Sequence, residues 1–275
     1  WFLGLQAYLG SDIPTAEERK ALVAKVREVA DALESYGWKV PCDGAFKGDF
    51  RGGFKGEHFR DVVRYLHMLH ATYEMTGDAV WLERYRKALA EKPEKSAETR
   101  QEICALGCPR DLSFIPTIQK GQFWIYVGTQ AGLARLAAVE SDPVVQAAYR
   151  KGLAVNAAFA VPAVETHAQF DNADQKAFGS ADWRHVYTTW FPQPTQAEAA
   201  RLAAIVDYKK RGPRKAYEST WMRNPLAGAA IVALSGDESG RAAVLKAVSH
   251  YDFAKLNMAE FFFAECAYYA LPEAK

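Results

Sequence analysis

The chain has 275 residues, of which 49% are hydrophobic and 24% are charged, and its formal net charge is +1. A chain of this length can bury a sizeable hydrophobic core, either as one large domain or as two small ones. The near-zero charge gives no field that would attract nucleic acid or an anionic membrane, the basic residues form no stripe, and no apolar run is long enough to predict a membrane span.

The pattern of apolar residues predicts an all-α protein, because helical periodicity recurs along the chain and the alternation typical of strands is nearly absent. The predicted helices are, in chain order, 1–10, 15–36, 57–76, 79–91, 121–139, 143–164, 196–211, 222–235, 238–250 and 255–270. The inner helices are rich in small apolar residues, whereas the outer helices are amphipathic. No linker is evident, so we predict one domain over residues 1–275. The start at Trp1 reads as the interior of a helix, so we expect further residues before it.

A short element recurs along the chain with nearly constant spacing. Asp78, Asp142 and Asp237 each follow a Gly or Ser, and a stretch of basic, small and aliphatic residues begins eight residues after each of them. Asp12 opens a fourth copy that is one residue shorter. We interpret each Asp as the N-cap of a helix, so the repeat predicts helical hairpins that stack through their apolar faces.

The copies are too far apart to be joined by short turns alone, so long connections must lie between the hairpins. We expect the tight turns at one end of the molecule and the loops 37–56 and 165–195 at the other, where polar and aromatic side chains would converge. A further long connection covers residues 92–120. The expected tight turns are 10–12, 76–78, 140–142 and 235–237.

The first long connection carries three acids that are candidates for catalysis: Asp43, Asp49 and Glu57. Glycoside hydrolysis needs two carboxylates, and a glycine-rich loop can present such acids at a cleft. The alternative is local, with Asp43 as an Asp-Gly turn residue and Glu57 as a first-turn acid favoured by the helix dipole. A polysaccharide lyase would instead need a neutral His or Tyr as base and an Arg or Asn that neutralises a uronate, and these residue types are supplied by His58, Arg60, Tyr65 and Arg51.

The later connection and the helices that follow it supply the remaining candidates. Asp171 and Asp174 are the expected partners of the acids in the first loop, and His185 and Tyr187 are further catalytic candidates in a dense aromatic and basic segment. Aromatic rings stack on sugars and arginines pair with carboxylates. The substrate-binding candidates are therefore Arg51, Trp124, Tyr126, Asp171, Asp174, Trp183, Arg184, Trp190, Trp221 and Arg223. The alternative for the aromatics is packing in the core, and for Arg223 it is the capping of a neighbouring helix end.

Two segments resemble the six-hairpin glycosidase-like proteins. From Tyr65 to Tyr85, an inner helix ends in a Thr-Gly-Asp turn at 76–78 and an outer helix containing Tyr follows, as in the hairpins of that superfamily. The glycine-rich loop that begins at Asp43 is also similar. The resemblance implies a partial or complete (α/α) toroid and a carbohydrate-active protein, because glycoside hydrolases, unsaturated uronyl hydrolases and polysaccharide lyases are built this way.

We therefore expect an enzyme that cleaves an oligo- or polysaccharide containing uronic acids, by hydrolysis or β-elimination, without a metal or cofactor. A second interpretation is a non-catalytic helical-repeat module that binds a partner on its concave face. The cysteines leave two states open, a Cys104–Cys108 disulfide in an exported protein or reduced thiols. If a signal peptide has been removed, the periplasm or the extracellular space is favoured as the location.

Overall fold

The computed structural model describes residues 1–113, 123–172, 219–256 and 258–271. Within these ranges the chain forms ten α-helices and one pair of short strands, which confirms the all-α class. The helices are α1 (Phe2–Gly10), α2 (Ala16–Ser35), α3 (Phe59–Thr76), α4 (Ala79–Ala90), α5 (Arg100–Leu106), α6 (Val127–Val139), α7 (Pro143–Val164), α8 (Asn224–Leu234), α9 (Arg241–His250) and α10 (Met258–Ala270). The strands are β1 (Lys39–Pro41) and β2 (Phe50–Gly53), which pair with each other. The ring closure of a toroid stays a prediction.

Nine of the ten predicted helices correspond to α1–α4 and α6–α10, and the tenth, 196–211, lies outside the described residues. In two of these helices, a short 3₁₀ turn takes the place of the first turn that was predicted as α-helical. Phe123–Ile125 forms this turn before α6, and Glu238–Gly240 forms it before α9. In a 3₁₀ turn the backbone hydrogen bonds join residues three apart instead of four. The spacing of apolar residues in the sequence does not distinguish such a turn from a first α-helical turn.

The structure adds a helix and a pair of strands to the connections that were predicted as loops. Helix α5 lies inside 92–120 and begins with a capping box, in which Thr99 accepts from the Glu102 amide at 3.2 Å and the Glu102 carboxylate accepts from the Thr99 amide at 2.7 Å. The strands β1 and β2 lie inside 37–56. Trp38 enters the first strand with a left-handed φ of 64°, a conformation that is rare for a residue with a side chain.

Two of the repeated aspartates cap the helices that they were predicted to cap, and a third caps the 3₁₀ turn before its helix. Asp78 accepts from an amide in the first turn of α4, and Asp142 does the same for α7. Asp237 caps the 3₁₀ turn that leads into α9. The prediction for Asp12 is wrong, because α2 takes its N-cap from Thr15. A Thr with a Glu three residues later is a complete capping box, and it lies directly before the helix.

The chain divides into two compact units, and its prediction as a single domain stays a prediction. The first unit comprises Trp1–Val40, Arg51–Ile118 and Ile125–Phe159, and the second comprises Pro41–Phe50, Gln119–Trp124 and Ala160–Lys275, apart from the residues outside the described ranges.

Helix α3 is the centre of the first unit and contacts α1, α2, α4, α5 and α6. Its side chains are buried on almost every face, which includes two histidines, His67 and His70. A group of aromatic rings lies against it, with Trp38 at 4.9 Å from the Tyr65 ring and 6.3 Å from the Trp81 ring. Edge-on packing of this kind adds to the stability gained from burying the rings. A helix surrounded in this way is a rigid support for the side chains at its ends.

Helix α8 is the centre of the second unit and contacts α9 and α10. Residues Asn224–Ala233 of this helix are all buried. Gly228 allows the end of α7 to approach closely, because a Cβ there would lie 3.3 Å from the carbonyl oxygen of Ala160. The small residues that the sequence shows in this helix therefore serve tight packing between helices.

Candidate active site

Polar side chains from three segments of the first unit meet at the N-terminal end of α3. His58 is the residue before the helix, and Arg60 and Asp61 lie in its first turn. Arg110 and Asp111 come from the 3₁₀ turn that follows α5, and Tyr126 precedes α6. We name this group the acid–histidine cluster and define it as Glu57, His58, Arg60, Asp61, Arg110, Asp111 and Tyr126.

Asp111 is the buried anchor of the cluster. Its side chain is fully buried, its Oδ1 accepts from the Phe59 amide at 2.8 Å, and its Oδ2 accepts from the Tyr126 hydroxyl at 3.0 Å. His58 occupies the N-cap position of α3 but its side chain makes no capping bond. An acid that is 52 positions away in sequence therefore satisfies the start of the helix, where the helix dipole favours negative charge.

His58 faces this anchor on one side and solvent on the other. Its Nδ1 lies 3.7 Å from Asp111 Oδ1, and a quarter of its side chain is exposed. The distance is too long for a hydrogen bond but short enough for a strong electrostatic interaction when the ring is protonated. An imidazole held beside a buried carboxylate, with its other edge accessible, has the arrangement of a general base.

Asp61 is the acid of the cluster that reaches solvent, with 16% of its side chain exposed. Burial raises the pKa of Asp61, while the positive charge of Arg60 opposes this effect. The Arg60 Nε lies 3.6 Å from Asp61 Oδ1. Gly56 makes room for the carboxylate, because a Cβ at that residue would lie 2.6 Å from Asp61 Oδ2. A carboxyl group that holds its proton more firmly than usual is suited to act as a general acid.

The two tyrosines near the start of α3 remain protonated. Burial, together with the neighbouring Asp111 carboxylate, raises the pKa of Tyr126 far above its ordinary value. Burial raises the pKa of Tyr65 to about 12. Neither phenol is therefore a base near neutral pH, and Tyr126 serves as a hydrogen-bond donor to Asp111. This leaves His58 as the basic group of the cluster.

Four of the residues predicted from the sequence belong to the cluster: Glu57, His58, Arg60 and Tyr126. Glu57 contributes its backbone, since its carbonyl oxygen accepts from Arg110 Nη1 at 2.6 Å. The sequence reasoning did not weigh Asp61 or Asp111 as site residues. One signal was available for Asp111: His58 is a poor N-cap residue, so a long and buried helix needs an acceptor from elsewhere in the chain.

The acids and the arginine of the strand pair occupy a different kind of environment. Asp43 is exposed, and its Oδ1 accepts from the Gly44 amide at 2.7 Å, as the turn interpretation expects. Asp49 and Arg51 are also exposed, and the Asp49 carbonyl accepts from the Cys42 amide at 2.9 Å. These three residues belong to the loop connecting β1 to β2 and to β2 itself, and the structure gives none of them a role in the cluster.

Four more predicted residues lie in the second unit. The Arg223 guanidinium lies 4.3 Å from the centre of the Trp124 ring, a cation–π contact that orients both side chains. The Trp221 carbonyl accepts a hydrogen bond from the Tyr251 hydroxyl, which fixes the backbone before α8. Asp171 is exposed and lies in the segment that follows α7.

The remaining predicted site residues lie outside the described ranges. They are Asp174, Trp183, Arg184, His185, Tyr187 and Trp190.

The sequence left two states open for Cys104 and Cys108, a disulfide or reduced thiols. The structure shows Cys104 and Cys108 buried as free thiols, and burial raises the pKa of Cys108 to about 12. Within the described ranges, no three His, Cys, Asp or Glu side chains come together in a way that could hold a metal ion. In the same part of the chain, no helix has the length and apolar character needed to cross a membrane.

Comparison of the chain with protein-family models, with curated proteins and with solved structures gives no match.

Proposed function

We propose that this protein is a polysaccharide lyase of the (α/α) toroid type, which cleaves a uronic-acid-containing saccharide by β-elimination at the acid–histidine cluster. One observation carries the proposal: His58, Arg60 and Asp61 present a base, a cation and an acid at the N-cap and in the first turn of one buried helix. The side chains of all three are partly exposed, Arg60 by a third. They are the three kinds of group that β-elimination from a uronate requires.

Each of the three groups has one step in the reaction. The Arg60 guanidinium pairs with the substrate carboxylate and stabilises the charge that develops on it. His58 takes the proton from the carbon next to this carboxylate, and the electron pair of that C–H bond forms the new C=C bond. The C–O bond to the leaving sugar breaks as Asp61 gives its proton to the leaving oxygen. Solvent then removes the proton from His58 and returns one to Asp61.

The state of Asp111 favours elimination over hydrolysis with a carboxylate nucleophile. Hydrolysis with retention needs two carboxyl groups that both reach the sugar. Asp111 is fully buried, and each of its oxygens already accepts a hydrogen bond from the protein. Asp61 is therefore the one acid of this pair that can contact a substrate, and Asp111 acts by holding His58 and the start of α3.

The test is an assay on a panel of uronic-acid polymers: polygalacturonate, alginate, glucuronoxylan and hyaluronan. Elimination produces a conjugated unsaturated uronate that absorbs ultraviolet light, whereas hydrolysis produces reducing ends without this absorbance. His58→Gln and Asp61→Asn should each lower turnover by about 100-fold or more, because each removes a proton transfer. Asp43→Asn and Asp49→Asn are matched controls, since both replace an exposed acid of the strand pair, and both should retain activity.

Each other result points to a definite alternative. Reducing ends without absorbance would assign hydrolysis, with His58 activating a water. Loss of turnover in Asp43→Asn or Asp49→Asn, with His58→Gln active, would move the site to the strand pair. If the unmutated protein produces neither signal on any polymer of the panel, the lyase proposal is rejected in favour of the binding-module interpretation.

A further inference from the structure

Arg110 is the member of the acid–histidine cluster that connects three parts of the first unit. Its Nη1 donates to the Glu57 carbonyl at 2.6 Å, and its Nη2 donates to the Ser96 hydroxyl at 3.0 Å and to Glu98 Oε2 at 3.2 Å. Nine-tenths of its side chain is buried. A planar guanidinium with donors in a fixed fork can make such bonds in two directions at once, which an ammonium group cannot do with the same geometry.

The bond to Glu57 bears directly on the base of the proposed reaction. Glu57 is the residue before His58, so its carbonyl belongs to the peptide unit that carries the His58 backbone. Arg110 Nη1 also lies 4.0 Å from Asp111 Oδ1, so the same guanidinium holds this peptide unit and approaches the carboxylate that the imidazole faces.

Arg110 is itself held by the loop before α5. The Ser96 hydroxyl donates to Glu98 Oε2 at 2.7 Å, which joins the two residues that receive Arg110 Nη2. The hydrogen bond from Ser96 is the largest cause that lowers the pKa of Glu98 to about 2, followed by a backbone amide and then Arg110. Glu98 is therefore ionised near neutral pH, and a charged acceptor fixes the direction of the Arg110 side chain.

From these contacts we infer that Arg110 is the positioning residue for His58. It touches no reacting atom, and it sets where the imidazole stands relative to Asp111. The consequence for turnover rests on the proposed function, whereas the consequence for the imidazole does not. Arg110→Lys is the test substitution, because it keeps the positive charge and removes the two-directional hold.

The matched control is Arg100→Lys in the same unit. Arg100 is also a buried arginine that joins a carbonyl to a carboxylate, with Nη1 donating to the Ala88 carbonyl at 3.1 Å and to Glu91 Oε2 at 3.2 Å. These contacts are at the C-terminal end of α4 rather than at the His58 peptide. If Arg110→Lys affected His58 only by destabilising the fold, Arg100→Lys should affect the His58 signals by a similar amount.

The first measurement is the ¹H–¹³C spectrum of the histidine rings, in which the His58 signals are identified by their absence in His58→Gln. Arg110→Lys should move the His58 signals while those of His67 and His70, on the same helix, keep their positions. Arg100→Lys should leave the His58 signals in place. The inference is overturned if Arg110→Lys leaves the His58 signals unchanged, or if Arg100→Lys moves them equally.

The second measurement is turnover on the polymer that the wild type cleaves. Arg110→Lys should lower kcat by about tenfold or more with little change in KM, because misplacement of a reacting group by a small distance affects the chemical step. If the wild type cleaves no polymer, the proposed function fails, and the spectra still decide the role of Arg110. If Arg110→Lys does not fold, Glu98→Gln takes its place, because it weakens the hold on Arg110 from a partly exposed residue. Glu98→Gln should move the His58 signals in the same direction by a smaller amount.

Discussion

His67 should make the first unit sensitive to acid, and His67→Gln should remove this sensitivity. The ring lies between α3 and α6 with 5% of its surface exposed, and a Cβ on Gly132 of α6 would be 3.4 Å from its Cγ. Its Nε2 lies 3.0 Å from Gln6 Oε1, and since that oxygen can only accept, Nε2 carries the proton and donates. Burial lowers the pKa of His67 from 6.5 to about 4, so the neutral ring is strongly favoured in the folded protein.

The size and sign of the effect follow from this difference in pKa. As pH falls below 6.5, the unfolded chain takes up a proton on His67 while the folded chain does not, so stability is lost until the pH reaches about 4. At about 1.4 kcal/mol for each unit of pH, the interval between 6.5 and 4 corresponds to about 3 kcal/mol. A loss of this size would move the midpoint of urea unfolding by about 1–2 M.

The assay is urea unfolding followed by circular dichroism near pH 7 and again near the lower end of this interval. Acid also protonates carboxylates, so the informative quantity is the difference between wild type and His67→Gln in the stability lost between the two conditions. His250→Gln, which removes a histidine from the second unit, is the control and should lose as much as the wild type. An equal loss in His67→Gln and wild type would refute the reasoning, because burial of a neutral His67 would then contribute nothing to the pH dependence.

Three further substitutions test the packing, a cap and the acid of the cluster. Gly152→Ala should lower the free energy of unfolding by about 2 kcal/mol or more, because its Cβ would overlap the carbonyl oxygen of Cys104. Gly128→Ala has open space around it and should be tolerated when both are compared by urea unfolding. Thr99→Ala should cost about 1 kcal/mol in the same experiment, since α5 loses its capping box. Asp61→Asn should stabilise the protein near neutral pH, because burial raises the pKa of the carboxyl, and the gain should disappear as pH falls below 3.8.

The helices could be predicted from sequence because their signals are local. In α3 the apolar residues repeat with the helical period, and the helix ends at Gly77 in the left-handed conformation that favours glycine. Helix α5 was not predicted, although Thr99 and Glu102 form the capping box at its start. Its seven residues are too few for the periodicity of apolar residues to distinguish a helix from a loop. The two strands have three and four residues, which is too short for alternation to be recognised.

The candidate site could be predicted only in part, for a reason that distinguishes two kinds of polar residue. Asp43 acts on the amide of the next residue, so the rules for turns describe it correctly. Asp111 acts on an amide 52 positions away, and no local rule connects the two residues. The sequence identified His58 and Tyr126 by their chemistry, but it did not show that Asp111 lies between them. The environment that raises the pKa of Asp61 is likewise created by chain segments that meet only in the folded protein.

The acid–histidine cluster combines elements that stabilise the fold with an element that opposes it. Asp111 stabilises the start of α3 through a bond to its first amide, and Arg110 holds the peptide before it. Asp61 has the opposite effect, since burial of its ionised form is unfavourable and the nearby Arg60 only reduces that cost. A side chain kept in an unfavourable environment needs a rigid support, because a mobile helix end would turn it out to water. The buried sides of α3 and the hold on its first turn provide this support, and they are also the conditions under which an acid and a base can be presented to a substrate in fixed positions.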